Sequence, residues 1–178
     1  MCTGNASRSP AVERLLAARL GPTVTVESAG TGAAVGHPIA PEMTVLLEEA
    51  GIDTGGFAAR QVTAGMLRDA DLVLALARDH LAPLGELNPE AAGRTFTLME
   101  FAHLAAAVDP PSIPEKTPSQ RLRRAVERAT TVRRHPAPGA DDIPDPFGHG
   151  QGAYNEVFTQ IQRATDTIAA AINPSRGR

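Results

Sequence analysis

Cysteine is nearly absent from this sequence: Cys2 is the single one among 178 residues. One cysteine excludes an intrachain disulfide, and it excludes zinc sites built from two to four thiolates. The five histidines are scattered without metal-ligand spacing. Cys2 is therefore either a small buried apolar residue or a reactive thiolate, and its neighbours have to decide between the two.

Long apolar runs and an excess of positive charge are also missing. No run approaches the roughly 20 residues of a membrane-spanning helix, and no basic start followed by an apolar stretch marks a secretory signal. The formal net charge is -3, whereas nucleic-acid binding usually requires a basic surface. We therefore expect a cytoplasmic protein with no membrane and no nucleic-acid partner. Its oligomeric state stays open.

Strand and helix patterns alternate along the chain, which predicts an α/β fold with a parallel sheet covered on both faces. Residues 23–28 and 94–98 are short and rich in β-branched or aromatic side chains, as strands are. Residues 72–76 form an unbroken apolar run, which is typical of a strand buried on both faces.

Four helices are predicted around these strands. The first has Ser9 as N-cap and stops at Gly21, and the second spans residues 41–50. A short helix begins near Thr63, and the last helix begins near Gly152. The last helix has an apolar face at helical spacing, formed by Val157, Ile161, Ile168 and Ile172.

Residues 109–139 interrupt this alternation. The stretch begins and ends in proline-rich sequence, and an arginine-rich helical pattern at 120–134 lies between. We interpret the chain as a single domain spanning residues 1–178, with an inserted, mostly exposed excursion at about 109–139. The arginine-rich helix either presents a solvated face or docks an acidic partner.

The most informative segment is residues 2–10, where five residues separate Cys2 from Arg8 just before a predicted helix. A thiolate is a suitable nucleophile for a phosphate ester, and a helix N-terminus favours the ionised thiol. Arg8 offers a planar fork that matches two phosphate oxygens. The spacing alone is weak evidence, because the chain is rich in arginine, but the residues in between strengthen it.

The residues between Cys2 and Arg8 are suited to a phosphate-binding loop. Such a loop can curl so that successive backbone N–H groups converge on one anion. Gly4 is expected to adopt backbone angles closed to other residues, and Asn5 to accept a left-handed conformation and tie the loop internally. The predicted phosphate-binding residues are Thr3, Gly4, Asn5, Ala6, Ser7 and Ser9, of which Ser9 is also expected to bond to the thiolate.

A second candidate element is residues 142–148, which contain Asp145 between two prolines. A carboxylic acid that protonates the leaving oxygen accelerates phosphate-ester cleavage roughly 10²–10⁴-fold. A proline-stiffened loop can hold Asp145 over the site, and Phe147 can stack against an aromatic substrate. The alternative is an ordinary turn with no catalytic role.

Together these residues resemble the low-molecular-weight protein tyrosine phosphatases. That family carries a cysteine–x5–arginine–serine loop near the N-terminus and an aspartate–proline loop late in the chain, which residues 2–9 and 145–146 match. The resemblance covers most of the chain outside the excursion. It continues through residues 27–31, 36–38, 51–53, 59–63 and 70–74.

The resemblance implies a fold and a reaction. The implied fold is a doubly wound, four-stranded parallel sheet with helices on both faces. Cys2 is expected to attack phosphorus while Arg8 clamps the phosphate and Asp145 protonates the departing tyrosine oxygen. Asp145 then activates the water that hydrolyses the phosphocysteine, and no metal or cofactor takes part. The implied partner is a phosphotyrosine-containing protein or a small aryl phosphate.

Two positions of the site depart from the family pattern. Many members have a second cysteine just before the arginine, which can trap the nucleophile as a reversible disulfide. Ser7 stands there, so over-oxidation of Cys2 is expected to be harder to reverse. Many members also have a histidine that supports the loop asparagine and serine. Phe57 stands at that position, so the support of Asn5 and Ser9 is expected to differ.

The family also has a full strand before the cysteine, whereas Met1 alone precedes it here. The fold is therefore expected to lack most of its first central strand, which leaves unpaired backbone groups at about 1–3 kcal/mol each and a groove in the core. The preferred explanation is a mistaken start site rather than a truly shortened protein. The chain starting at Met1 is expected to be poorly soluble or inactive.

Two other functions stay open. The same loop can bind arsenate, but an arsenate reductase with one cysteine needs an external thiol to resolve the intermediate. An inactive phosphate-binding module is the other alternative, and the missing strand is its best support.

Overall fold

Helices dominate the part of the chain that the structure, a computed structural model, describes: residues 1–107, 117–133 and 141–173. The helices predicted near Pro41, Thr63 and Gly152 are confirmed. In chain order the elements are α1 (Arg8–Leu20), α2 (Pro41–Glu49), α3 (Ala64–Asp69), β1 (Val73–Ala75), α4 (Leu81–Leu87), β2 (Thr95–Thr97), α5 (Leu98–Ala107), α6 (Pro118–Val132) and α7 (Gln151–Ile172), with 3₁₀ helices at Arg78–His80 and Pro89–Arg94.

Strands β1 and β2 pair in parallel, with Val73 opposite Thr95. They confirm the strands predicted at 72–76 and 94–98, each shorter than its pattern. Two isolated parallel bridges, Cys2 to Gly30 and Gly30 to Gln61, lie outside the named strands. The α/β class with a small parallel sheet is therefore confirmed. The prediction of four strands is not, since the described residues form a sheet of two.

The strand predicted at 23–28 is wrong. Those residues have no ladder partner, although Val24 and Val26 pack on the core and Thr25 and Glu27 are exposed, as in a strand with one buried face. A β-strand needs a neighbour to bond its backbone, and here a groove runs beside the segment. Side-chain alternation alone therefore does not produce a strand at this position.

Helix α1 begins two residues earlier than the predicted N-cap at Ser9 implies. Ser7, rather than Ser9, occupies the N-cap position, and Arg8 is the first helical residue. Ser9 does not cap because its hydroxyl bonds elsewhere, to Cys2 and Asn5. The stop at Gly21 is confirmed, with a φ of 78° that glycine adopts without strain.

The core lies mainly between α1, α5, α6 and α7. Helix α7 packs on α1 and α5 with the predicted apolar face, and Val157, Ile161, Ile168 and Ile172 are all buried. A smaller apolar cluster on the other side of β1 includes Val73, Ala75 and Leu84. Within the described ranges, no helix combines the length and apolar character needed to cross a membrane.

Helix α6 lies within the predicted excursion and packs one of its faces on the core. It spans most of the arginine-rich pattern, and its inner face buries Ala125, Val126 and Ala129 in the main core cluster. The helix therefore belongs to the packed structure. Residues 108–116 and 134–140, which contain the two ends of the predicted excursion, lie outside the described residues, and the domain boundaries stay a prediction.

Candidate active site

The predicted phosphate-binding loop joins the end of the Met1–Cys2 bridge segment to the first turn of α1. Cys2 is buried, and its Sγ lies 2.9 Å from the hydroxyl oxygen of Ser9. The thiol thus lies at the N-terminus of α1, within hydrogen-bond distance of a hydroxyl. The predicted contact between Ser9 and the thiol is confirmed.

Asn5 ties the loop together from inside. Its φ is 51°, and it is the one non-glycine residue with a positive φ in the described part of the chain. The fully buried amide donates to the hydroxyls of Ser9 and Ser28, at 2.9 Å each, and its oxygen accepts from the N–H of Arg60 at 2.8 Å. The left-handed conformation and the internal tie predicted for Asn5 are both confirmed.

Gly30, rather than Gly4, is the glycine on which the loop depends sterically. Gly4 does not have a positive φ, and nothing lies within 4 Å of where its Cβ would be. At Gly30 a Cβ would lie 2.2 Å from the carbonyl oxygen of Thr3. The expectation of special backbone angles at Gly4 is therefore wrong. The close approach of residue 30 explains why a glycine is needed behind the loop.

Most carbonyl groups of the loop accept hydrogen bonds from the protein, whereas its N–H groups donate to none of the residues that the structure describes. Successive loop carbonyls accept from the segment that follows Gly30: Cys2 from Thr31, Thr3 from Gly32, Gly4 from Ala34, and Ala6 from Ala40, at 2.7–3.1 Å. Within the described residues, the N–H groups of residues 3–7 donate to no protein acceptor. The loop therefore offers a run of free backbone donors at a helix N-terminus, as an anion site requires.

Arg8 and Asp145 meet although 137 residues separate them. The buried guanidinium of Arg8 donates from Nη1 to the carbonyl of Ile143 at 3.1 Å and from Nη2 to Oδ2 of Asp145 at 2.5 Å. Ile143 in turn donates its N–H to the carbonyl of Leu76, just after β1, at 2.8 Å. These bonds fix the aspartate loop over the phosphate-binding loop.

The mouth of the site carries an exposed aromatic ring. Phe147 is 81% exposed, and its N–H bonds to Oδ1 of Asp145 at 3.3 Å. The backbone of Phe147 therefore lies beside the carboxylate, and its side chain is open to solvent.

His80 lies behind the loop and was missed by the sequence reasoning. Its Nδ1 accepts from the N–H of Ala77 at 3.1 Å, so in the neutral ring Nε2 carries the proton and donates to the hydroxyl of Thr3 at 3.2 Å. Burial lowers the pKa of His80, and the nearby Arg8 lowers it further. The neutral form that holds Thr3 is thus favoured.

Ser28, Arg60 and Glu13 form the remaining support, and the sequence analysis assigned a role to none of them. Glu13 accepts from both the N–H and the hydroxyl of Ser28, at 2.8 and 2.7 Å, and Arg60 donates to the carbonyl of Ser28 at 2.9 Å. The sequence did contain signals for these three residues. Ser28 and Arg60 lie in segments that carried the family resemblance, and Glu13 follows Ser9 by one helical turn.

Phe57 replaces the supporting histidine of the family without taking its role. The ring packs against the main core, and the guanidinium of Arg14 lies 5.9 Å from its centroid. Asn5 and Ser9 are held through Ser28 and the backbone of Arg60 instead. That this support differs from the family pattern stays a prediction.

No group of three or more histidine, cysteine, aspartate or glutamate side chains is arranged to hold a metal ion among the described residues. The site instead consists of a thiol, free amides, a guanidinium and a carboxylate. These groups suit the transfer of a phosphoryl group to sulfur, followed by proton transfer.

Comparison with known proteins agrees with this arrangement. The family model described as low molecular weight phosphotyrosine protein phosphatase matches residues 1–131. The low molecular weight protein-tyrosine-phosphatase Wzb of Salmonella typhimurium is 30% identical over 178 residues, covering 100% of this chain and 95% of Wzb.

Solved structures are similar over nearly the whole chain. The tyrosine phosphatase AmsI of Erwinia amylovora has a TM-score of 0.71 and 26% identity, covering 97% of this chain and 89% of AmsI. The arginine phosphatase YwlE of Geobacillus stearothermophilus also has a TM-score of 0.71, with 27% identity over 98% of this chain and 91% of YwlE. The chain belongs to the low molecular weight phosphotyrosine protein phosphatase family.

Proposed function

We propose that this chain hydrolyses phosphotyrosine-type phosphomonoesters and that Cys2 carries the phosphoryl group between the two half-reactions. The observation that carries the proposal is the contact of Arg8 with Asp145 beside a loop whose amides are free. Family membership supports the same activity.

In the first half-reaction the Cys2 thiolate attacks phosphorus and forms the S–P bond. The P–O bond to the leaving group breaks, and the departing oxygen takes the proton of Asp145. The free amides of residues 3–7 and the Arg8 guanidinium stabilise the charge on the transferring phosphoryl oxygens. Ser9, 2.9 Å from Sγ, holds the thiolate before attack.

In the second half-reaction water attacks phosphorus and Asp145 accepts its proton. The S–P bond breaks, inorganic phosphate leaves, and Cys2 returns as a thiolate stabilised by Ser9. This sequence involves no electron transfer, so a single cysteine is sufficient. An arsenate reductase would need an external thiol, because no second cysteine exists in the chain to resolve the intermediate.

Phe147 supports an aromatic substrate. It is exposed, and its backbone N–H bonds to the proposed acid, so the ring can lie along an aryl group whose oxygen faces Asp145. We infer a phosphotyrosine-containing protein or a small aryl phosphate as substrate. The cytoplasmic location, the absence of a cofactor and of nucleic-acid partners, and the four-stranded sheet stay predictions.

The deciding experiment compares substrates on one preparation. Phosphate release is measured with p-nitrophenyl phosphate, a phosphotyrosine peptide and a phosphoarginine peptide, and arsenate reduction is measured with an added thiol. We expect the two aryl phosphates to be hydrolysed and arsenate reduction to be negligible. Faster hydrolysis of phosphoarginine would assign the substrate class of YwlE instead.

The matching variants are Cys2→Ser and Arg8→Lys. Cys2→Ser is expected to abolish turnover while vanadate still binds, because the loop amides and Arg8 remain. Arg8→Lys is expected to weaken both turnover and vanadate binding, since an ammonium cannot supply two parallel hydrogen bonds. Substantial activity of Cys2→Ser would refute the nucleophile. Vanadate binding without turnover in the unaltered chain would favour an inactive binding module.

A further inference from the structure

A short 3₁₀ turn, Arg78–His80, follows β1 and contacts both halves of the active site. One half is the phosphate-binding loop that contains Cys2, and the other is the aspartate loop that contains Asp145. The two loops lie far apart in the sequence, so their relative position depends on whatever bonds to both. The turn bonds to each loop by a different residue.

The aspartate loop is attached to the turn through the residues just before Asp145. The N–H of Arg78 donates to Oδ1 of Asp142 at 2.7 Å. Nη2 of the same arginine donates to Oδ2 of the buried Asp141 at 3.3 Å. Backbone and side chain of Arg78 thus bond to two consecutive carboxylates, and together they fix where the aspartate loop begins.

The phosphate-binding loop is attached to the turn through His80, which is buried. Nδ1 of His80 accepts from the N–H of Ala77 at 3.1 Å, and Nε2 lies 3.2 Å from the hydroxyl of Thr3. Burial, followed by the charge of Arg8, lowers the pKa of His80, so the ring is neutral at neutral pH. The ring therefore accepts from the turn with one nitrogen and donates to the loop with the other.

Thr3 lies where two peptide planes of the loop meet. These planes carry the first two free amides after the nucleophile, the N–H groups of Thr3 and Gly4, and their carbonyls accept from Thr31 and Gly32 at 2.9 and 3.0 Å. Each plane is thus held at its carbonyl side, while the angle between the planes depends on the backbone dihedrals of Thr3. The bond from His80 to the exposed side chain of Thr3 restricts this residue.

We propose that His80 is a positioning residue for the reaction, which orients the first two amides of the phosphate-binding loop through the hydroxyl of Thr3. The turn that carries His80 holds this loop at a fixed distance from Asp145. The proposal rests on the proposed phosphatase function. The competing interpretation is that His80 only closes the 3₁₀ turn through its bond with Ala77.

Two amide substitutions separate the two bonds of the ring. In His80→Asn the amide oxygen can replace Nδ1 and accept from Ala77, but the side chain is too short to reach Thr3. In His80→Gln the longer side chain can replace Nε2 and still donate to Thr3. The dissociation constant of vanadate should rise roughly two- to tenfold in His80→Asn, the effect of one neutral hydrogen bond, and less in His80→Gln. The opposite order, or equal constants, would overturn the proposal.

Thr3→Val tests the same bond from the other side. It removes the hydroxyl from an exposed side chain and keeps its shape, so the chain should fold. Vanadate binding should weaken by the same factor as in His80→Asn, and the double variant should lose no more, because both changes remove one bond. Effects that multiply would overturn the proposal. The control is Asp79→Asn, at an exposed residue of the same turn, which should leave vanadate binding unchanged.

Asp142 tests the attachment of the aspartate loop. Asp142→Ala removes the acceptor for the N–H of Arg78, whereas Asp142→Asn keeps an oxygen there. Asp142→Ala should slow esters with poor leaving groups at least about threefold more than activated aryl esters, because a displaced Asp145 protonates the leaving oxygen less well. Asp142→Asn should stay close to the unaltered chain. A uniform loss in Asp142→Ala would overturn this part of the proposal.

Failure of this proposal is distinguishable from failure of the proposed function. Vanadate binding requires no turnover, so the comparison of the His80 variants decides the role of His80 even if the unaltered chain hydrolyses no aryl phosphate. That outcome would refute the phosphatase function alone. An active chain whose His80→Asn and His80→Gln variants bind vanadate equally well would refute the positioning role alone.

Discussion

Arg8 and Asp145 bond to each other, although both are proposed to serve the substrate. The Arg8 end of the pair is buried, and the Asp145 side chain is 51% exposed. A phosphate that takes the guanidinium fork has to displace the carboxylate, and two negative groups next to each other repel. At the residue scale, Asp145 therefore competes with the substrate phosphate for Arg8, in addition to its proposed role as the general acid.

Asp145→Asn should separate these two effects. Turnover of esters with poor leaving groups should fall roughly 10²–10⁴-fold, because their oxygens need a proton, whereas activated aryl esters should lose little. Inorganic phosphate should inhibit the variant more tightly, because the competing negative charge is gone. The measurements are kcat over a leaving-group series and the inhibition constant of phosphate.

The control for this prediction is Asp166→Asn, which removes a carboxylate on α7 that pairs with Arg19 away from the site. It should leave both quantities unchanged. An equal loss over the whole leaving-group series in Asp145→Asn would indicate a structural role for the aspartate loop.

Asn5 combines a positive φ with three buried hydrogen bonds, and two substitutions distinguish their contributions. Asn5→Gly removes the bonds but accepts the backbone conformation. Asn5→Ala removes the bonds and adds a left-handed strain of roughly 1–2 kcal/mol. Urea unfolding should rank Asn5→Ala below Asn5→Gly by about that amount. Equal stabilities would mean that the loop relaxes out of the left-handed conformation.

At the scale of elements, α6 is attached to the packed core by contacts at its C-terminal end. Arg133, directly after the helix, donates to both oxygens of the buried Glu100 on α5, at 2.7 and 2.9 Å. The same guanidinium lies 4.6 Å from the centroid of Phe96 in β2. Together with the buried inner face of α6, the ion pair ties the end of the helix to α5, and the contact with Phe96 ties it to β2.

Arg133→Gln should destabilise the protein by about 3 kcal/mol, because it leaves the carboxylate of Glu100 buried without its cation. The matched control is Arg123→Gln, which breaks an exposed pair with Asp71 and should cost less than about 1 kcal/mol. Urea unfolding measures both. Equal small effects would show that α6 is attached loosely, as the exposed-excursion interpretation assumes.

At the scale of the whole molecule, two buried basic groups make stability depend on pH. Burial lowers the pKa of the Met1 amino group from 8.0 to about 6. Burial, followed by Arg8, lowers the pKa of His80 below its usual 6.5. Both groups bind protons more readily in the unfolded chain, so the free energy of unfolding falls as the pH falls.

The free energy of unfolding should begin to fall near pH 8. By pH 6 the Met1 amino group alone should have lowered it by roughly 2–3 kcal/mol, at 1.36 kcal/mol per pKa unit. His80 should add a further loss below pH 6.5. Urea unfolding between about pH 8.5 and 5.5 measures the sum. Acetylating the Met1 amino group should remove the loss of stability between pH 8 and 6, and His80→Gln should remove the further loss below pH 6.5. A flat profile in the unmodified chain would contradict the burial of both groups.

Much of the site was predictable from short stretches of sequence, because its chemistry depends on local spacing. The separation of Cys2 from Arg8 and the position of Asn5 between them determine the loop and its left-handed residue. The helix at Pro41 follows from a proline that suits the first helical position, and the helix near Gly152 follows from local apolar periodicity. For α6 the sequence predicted the helix but not its burial, since burial depends on what faces it across the core.

Only the tertiary structure decided the contacts between distant residues and the pairing of strands. The sequence could not show that Arg8 donates to Asp145, that His80 holds Thr3, or that Gly30 rather than Gly4 is sterically required, because each depends on how far apart segments approach. Residues 23–28 have the side-chain alternation of a strand, but strand formation also needs a bonded neighbour. Helices bond within themselves, whereas sheets bond between segments, and this is why local sequence determined the helices and left the sheet to the fold.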